Sequence, residues 1–176
     1  MGKYRVAIVG AAGTWGRFFT RAYAENPACE IVGLVDRAKE RRDDLAARFG
    51  VEQVYDNLQD LLAVEVPDIA SVVVPVSQNY PCITACAEAG VRVVCCEKPI
   101  SHELHEADEI LRICRERGTL LGCSQGGWAT PHMPEVVEWV RQGHIGRLTA
   151  AAIPDGLPTE VSGGGCVQLA SLRILT

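Results

Sequence analysis

The sequence predicts an α/β fold, a doubly wound parallel sheet followed by a short, incomplete C-terminal extension. Three observations predict it. Short β-branched runs alternate with helical segments from residue 4 to residue 123; the later helical segments stop on glycine; and the run 69–74 is apolar without alternation, as in a strand covered on both faces. Strands connected through helices run parallel, with right-handed crossovers.

The elements follow in order. Residues 4–9 form a β-rich run, 14–25 have helical character, and 30–35 make a second apolar strand ending at Asp36. Residues 38–49 read as a charged amphipathic helix ended by Gly50, and 57–62 as a short helix capped by Asn57. After the strand at 69–74 come a helix at 81–89 stopped by Gly90, a strand at 92–96, a helix at 104–117 stopped by Gly118, and a strand at 120–123. Beyond Ser124 the character changes. A helix at 134–141, a turn between Gly143 and Gly146 and a strand at 148–153 lead into glycine-rich loop and a last apolar stretch, 166–175. We therefore expect one domain over 1–124 and the start of a second, incomplete substrate or dimerisation domain over 125–176.

Composition narrows the function. Of 176 residues, 48% are apolar and 22% charged, the balance of a chain with a real core. The net charge of −5, with basic clusters such as Lys39-Glu40-Arg41-Arg42 interrupted by acids, gives no electrostatic reason to expect nucleic acid or an anionic membrane as partner; these clusters read as solvated helix faces. No leader is read at the start and no apolar run approaches the roughly 20 residues of a membrane span, so the expected location is the cytoplasm. The eight cysteines include no C-x-x-C pair and sit mostly in apolar segments, which points to buried reduced thiols and to no metal site. The apolar 166–175 stretch, needing cover, suggests a homo-oligomer.

The first strand runs directly into Gly10-Ala11-Ala12-Gly13-Thr14-Trp15-Gly16 and then a helix. Glycines there let backbone N–H groups approach a pyrophosphate and let the helix pack on its strand, while the helix N-terminus favours negative charge. The spacing is G-x-x-G-x-x-G rather than G-x-G-x-x-G, so the glycines alone would also suit a tight turn. Asp36, twenty residues past Gly16 at the end of the second strand, adds a carboxylate placed for ribose hydroxyls. Together they indicate a Rossmann-type dinucleotide site. Gly10, Ala12, Gly13, Thr14, Trp15, Gly16, Asp36 and Arg37 are its candidate cofactor-binding residues. Asp36 favours NAD; Arg37, Arg41 and Arg42 keep NADP as the alternative.

The strand at 92–96 delivers Glu97-Lys98-Pro99 to the carboxyl edge of the sheet, where open α/β folds bind ligands. A lysine there could bond a substrate hydroxyl or move a proton. The segment Gly90-Val91-Arg92-Val93-Val94-Cys95-Cys96-Glu97-Lys98-Pro99, with Gly143-His144-Ile145-Gly146 further on, resembles the Gfo/Idh/MocA oxidoreductases, the glucose-fructose oxidoreductase and inositol dehydrogenase family. The resemblance covers about residues 3 to 150. It implies hydride transfer between NAD(P) and a sugar, polyol or related small hydroxy or keto compound. It implies Lys98 as the catalytic and substrate-binding lysine, with Glu97 and Pro99 shaping the nicotinamide end. Pro75 matches a position lining the cofactor, and Asn79 stands where the family often has His.

The chain also departs from the family, whose members are about twice as long. Their Asp-x-x-x-His pair would fall on Leu169 and Arg173, neither able to accept a proton from a hydroxyl. His102, His105, His132 and His144 read as surface residues. Two other readings follow: a non-catalytic NAD(P)-binding or sensing module that has lost its substrate domain, and a reductase similar at Val9 to Arg17 to dihydrodipicolinate reductases, whose His-His signature is missing here.

Overall fold

The computed structural model describes residues 2–123, 131–150 and residue 173. The chain divides into two compact units, Met1–Cys123 and Ser124–Thr176.

The first unit is a six-stranded, all-parallel sheet in the order β3-β2-β1-β4-β5-β6, built from β1 (Tyr4–Val9), β2 (Cys29–Val35), β3 (Val54–Tyr55), β4 (Ile69–Val72), β5 (Val93–Cys96) and β6 (Leu120–Cys123). Its helices are α1 (Thr14–Glu25), α2 (Lys39–Phe49), α3 (Leu58–Val64), α4 (Asn79–Glu88) and α5 (Leu104–Arg117), with a turn of 3-10 helix at Val76–Gln78 before α4. The chain moves outward from β1 to β3, then returns to the other side of β1 at β4. That reversal is the topological switch point, where open α/β sheets bind ligands beyond their strand ends.

The alternation along β1 explains its place at the centre. Val6 and Ile8 enter one core with Leu34, Leu45 and Val51; Ala7 and Val9 enter the other with Leu61, Val72, Ile83, Val94 and Ile110. A strand apolar at four successive positions, Val6 to Val9, is buried on both sides only between two layers. The register between β1 and β2 shifts between Val6 and Ala7, which pair with Ile31 and Gly33. Gly33 then lies so close under α3 that a Cβ there would sit 2.6 Å from Cδ1 of Leu61.

Two short elements, β3 and the 3-10 turn at Val76–Gln78, were not expected from the sequence. β3 has two residues, too few for any periodicity, and is held by the bonds Leu34 N–H to Gln53 O and Asp36 N–H to Tyr55 O. The helix expected at 81–89 begins at Asn79, with Pro81 inside its first turn, where its missing N–H has no intrahelical partner to lose. The strand expected at 69–74 ends at Val72.

In the second unit, α6 (Met133–Arg141) occupies the expected helix, with Pro134 in its first turn. Of the strand expected at 148–153, residues 148–150 are irregular and the rest lie outside the described residues, as do 166–175 except for Arg173. Among the described residues no helix is long and apolar enough to cross a membrane.

Candidate functional site

Carboxyl ends of β1, β2 and β4 converge on a cleft of about 280 Å³. Gly10 forms part of its floor; Asp36 and Arg37 come from the end of β2; Asn57 and Gln59 come from the start of α3; Val74, Pro75 and Gln78 come from the segment after β4. Four expected cofactor residues, Gly10, Asp36, Arg37 and Pro75, therefore share one cavity. Asn57, Gln59 and Gln78 also line it and carried no signal in the sequence, because short polar connections look alike whether or not they border a ligand.

The glycine turn is as close as its composition suggests. Gly10 has φ of +85°, and a Cβ on it would lie 2.2 Å from the carbonyl oxygen of Val73. Gly16 sits against the turn itself, where a Cβ would lie 2.1 Å from the Gly10 oxygen and 2.7 Å from the Ala11 oxygen. Gly13 is the N-cap of α1 and has more room, with the Gly10 oxygen 3.3 Å from a Cβ position. No side chain caps the helix at Gly13. Its first-turn donors and the positive end of its dipole suit an anionic group.

Asp36 ties this turn to β2. One carboxylate oxygen accepts the N–H of Ala12 at 2.9 Å and the other accepts the N–H of Ala38 at 2.8 Å. A carboxylate has about four acceptor positions, so capacity remains for hydroxyl donors from a ribose. Ala12 is thus buried and tethered rather than facing the cleft. Thr14 lines a separate groove between α1 and α2, and Trp15 is 60% exposed, tilted against Phe18 with ring centroids 5.7 Å apart.

Arg42 corrects the reading of its cluster as a solvated face and its availability to a 2′-phosphate. It is only 3% exposed. Its guanidinium donates to the main-chain oxygen of Asp36 at 3.0 Å and pairs with Asp43 and Asp56. Burial works against its charge, but hydrogen bonds to Asp56 and Asp43 outweigh that and hold its pKa above the ordinary value. Arg37, by contrast, is exposed at the rim.

At the end of β5, the Glu97 N–H bonds to the Val72 oxygen at 3.2 Å, and the Lys98–Pro99 peptide is cis. Asn79, expected beside the cofactor, does not line the cleft. It is 0% exposed, and its Nδ2 donates to the carbonyl oxygens of Glu97 at 3.3 Å and Pro99 at 2.9 Å. It clamps the loop carrying Lys98 from beneath, and its Oδ1 is buried with no partner among the described residues. Lys98 itself is half-buried. The four histidines, His102, His105, His132 and His144, are all exposed.

Among the described residues no cluster has the composition of a metal site, and none of the seven described cysteines is in a disulfide. Cys29, Cys86, Cys96 and Cys114 are buried as expected; Cys123 is exposed at the end of β6.

A family model described as the oxidoreductase family with NAD-binding Rossmann fold matches residues 4–125. Among curated proteins, the chain is 28% identical over 172 residues to D-glucoside 3-dehydrogenase of Escherichia coli, covering 92% of this chain and 49% of the relative. It is 26% identical over 144 residues to D-apiose dehydrogenase of Paraburkholderia graminis, covering 82% and 38%. Among solved structures, scyllo-inositol dehydrogenase from Lactobacillus casei, with bound NAD(H) and scyllo-inositol, superimposes with a TM-score of 0.75 at 20% identity, covering 82% of this chain and 42% of that one. UDP-N-acetylglucosamine 3-dehydrogenase from Acidithiobacillus ferrooxidans gives a TM-score of 0.69 at 26% identity, covering 78% and 44%. The chain spans about half or less of the length of the curated relatives it matches.

Proposed function

This chain belongs to the Gfo/Idh/MocA oxidoreductase family, with its NAD-binding Rossmann fold, and on that footing we propose that it is the nucleotide-binding part of an NAD-dependent dehydrogenase acting on a sugar or polyol. The observation that carries the reading is the cleft at the switch point, where Asp36 both borders the cavity and anchors the glycine turn. The residues present fit a dinucleotide. Gly10 and Gly16 leave no room for side chains where the turn packs, and the uncapped start of α1 offers donors to a pyrophosphate. The remaining acceptor capacity of Asp36 suits the adenosine ribose.

NAD is the preferred form. Asp36 is held by two main-chain donors and repels a 2′-phosphate from a fixed position, while Arg42 is committed beneath the loop. Arg37 is the remaining described cation lining the cleft, and NADP use would rest on it.

When bound, NAD supplies a hydride acceptor or donor. The protein must hold the substrate carbon against it and manage the hydroxyl proton, and Lys98 is the residue we assign to that proton or to a hydrogen bond with the substrate oxygen. Asn79 holds the main chain on either side of Lys98, and Glu97 and Pro99 shape the approach. The sugar and polyol dehydrogenases among the relatives support this class of substrate and weigh against a purely sensing module. We assign 125–176 to the beginning of the substrate and dimerisation domain, and place the protein in the cytoplasm as a homo-oligomer.

The test is titration of the chain with NADH and NADPH by nicotinamide fluorescence, followed by a screen of sugars and polyols with Lys98→Ala beside the wild type. Micromolar NADH binding with weaker NADPH binding, and turnover lost in Lys98→Ala, is the expected result. Failure of both nucleotides to bind the folded chain overturns the reading.

A further inference from the structure

The mechanism leaves one cluster of nucleophilic side chains without a role: the cysteines at the paired ends of β5 and β6. In the parallel register Cys96 stands directly opposite Cys123, while Cys95 stands opposite Gly122. Residues directly opposite in a parallel pair project to the same face, so the sulfurs of Cys96 and Cys123 share a side, whereas Cys95 projects to the other. Adjacent strands lie about 4.8 Å apart, inside the roughly 4.4–6.8 Å between Cα atoms that a disulfide bridges.

The two thiols differ in environment. Cys96 is buried at 3% exposure, and Cys123 is exposed. Each shifts the other: Cys96 is the main cause that lowers the pKa of Cys123, and Cys123 is the main cause that raises that of Cys96. Burial and Glu97 oppose the thiolate of Cys123, and Lys98 favours it. The Cys123 thiol also donates to the Glu97 carbonyl oxygen at 3.9 Å, the same oxygen that Asn79 holds. An accessible thiol with a second, buried thiol directly opposite it on the neighbouring strand is the arrangement of an attacking and a resolving cysteine. The other described cysteines lack it. Burial pushes the Cys86 thiol up to about 12 and raises Cys82 and Cys114 as well.

We propose that Cys96 and Cys123 form a reversible, hydroperoxide-sensitive dithiol–disulfide pair that ties β6 to β5 two residues before Lys98. The Cys123 thiolate attacks the peroxide oxygen; the S–O bond forms, the O–O bond breaks, and hydroxide leaves as water after taking a proton. Cys96 then loses its proton and attacks the Cys123 sulfur; the S–S bond forms, the S–O bond breaks, and a second water leaves. Two thiols together give up two electrons and two protons, and one hydrogen peroxide becomes two waters. The disulfide withdraws Cys123 from the Glu97 carbonyl and changes the support under the Lys98 segment. The thiol chemistry does not depend on the proposed activity, so its test reads the thiols directly.

The full chain is treated with one equivalent of hydrogen peroxide, alkylated with N-ethylmaleimide, digested and mapped by mass spectrometry, alongside C123S, C96S and C95S. The expected result is a cross-linked peptide joining residues 96 and 123 that is lost on treatment with dithiothreitol. It is retained in C95S and absent in C123S. In C96S, Cys123 accumulates as a sulfenic acid trapped by dimedone. Circular dichroism melts show whether each variant is folded, and C96A replaces C96S if the hydroxyl is not tolerated in the core. The proposal is overturned if both thiols of the treated wild type remain alkylatable, if Cys123 links to another cysteine, or if Cys123 over-oxidises while Cys96 stays a thiol.

Discussion

Asp36 and Ala12, on consecutive strand ends, are joined across the head of the sheet: a carboxylate oxygen of Asp36 accepts the Ala12 N–H at 2.9 Å. The residue we propose for the ribose is therefore also the residue that fixes the turn we propose for the phosphates. Asp36→Ala removes this bond and the one from Ala38. Charge-assisted bonds contribute about 1.5–3 kcal/mol each when well shielded; for this half-buried carboxylate a total loss of about 2 kcal/mol is expected. Urea denaturation should show it without ligand, and NADH binding should weaken by about 10- to 100-fold.

The glycines of the turn should separate into structural and binding classes. Gly16→Ala forces a methyl to 2.1 Å from a carbonyl oxygen, and Gly10→Ala forces one to 2.2 Å in a left-handed conformation. Each should cost about 3 kcal/mol or more and lower the thermal midpoint sharply. Gly13→Ala meets its neighbour at 3.3 Å, so it should fold within about 1 kcal/mol of wild type while weakening NADH. A Gly13→Ala chain with unchanged nucleotide affinity would argue against phosphates at the start of α1.

Asn79→Leu should destabilise by about 2–3 kcal/mol, since it leaves the carbonyls of Glu97 and Pro99 without their donor. Asn79→Asp is the sharper probe. It keeps the shape but presents oxygen to both carbonyls at neutral pH, and its melting temperature should recover as acid protonates the new carboxyl. Equal destabilisation at pH 4 and pH 7 would show that the lost donor is not the cause.

Tyr23 sets an alkaline limit. Burial is the main reason its phenol is pushed from 10.0 up to about 12, with Cys95 adding to the shift and Ser71 opposing it. The folded state binds this proton more tightly than the unfolded chain does. Its contribution to stability is therefore complete below pH 10 and is lost as pH rises from there through about 12. The melting temperature should fall across that window, and Tyr23→Phe should flatten this part of the decline.

Much of this architecture is legible in the residues. β1, α1, α5 and β6 have the expected limits, because each is an apolar run or amphipathic helix bounded by a turn or glycine. Asp36 and Gly10 meet at the cleft because a βαβ unit brings the ends of successive strands together whatever its helix contains. What escaped depends on packing between distant segments. β3 exists only through its bonds to β2, and Arg42, inside a run of charges, is buried because Asp56 and the Asp36 carbonyl meet it there. Asn79 looked like a ligand-facing polar residue; its role is set by a loop twenty residues away that one sequence does not place beneath it.

The pairing of β1 carries a consequence for how the protein is made. Val6 pairs with Ile31 on one side and with Ile69 on the other, so the second partner emerges from the ribosome long after the first. Until β4 docks, β1 is an open edge with both faces apolar, a template for wrong strands. The nascent chain therefore passes through an interval of aggregation risk that ends when the strand leading to Val74 and Pro75 arrives. The event that closes this edge also builds the second wall of the cleft, so nucleotide affinity in a synthesis series would report the moment the hazard ends.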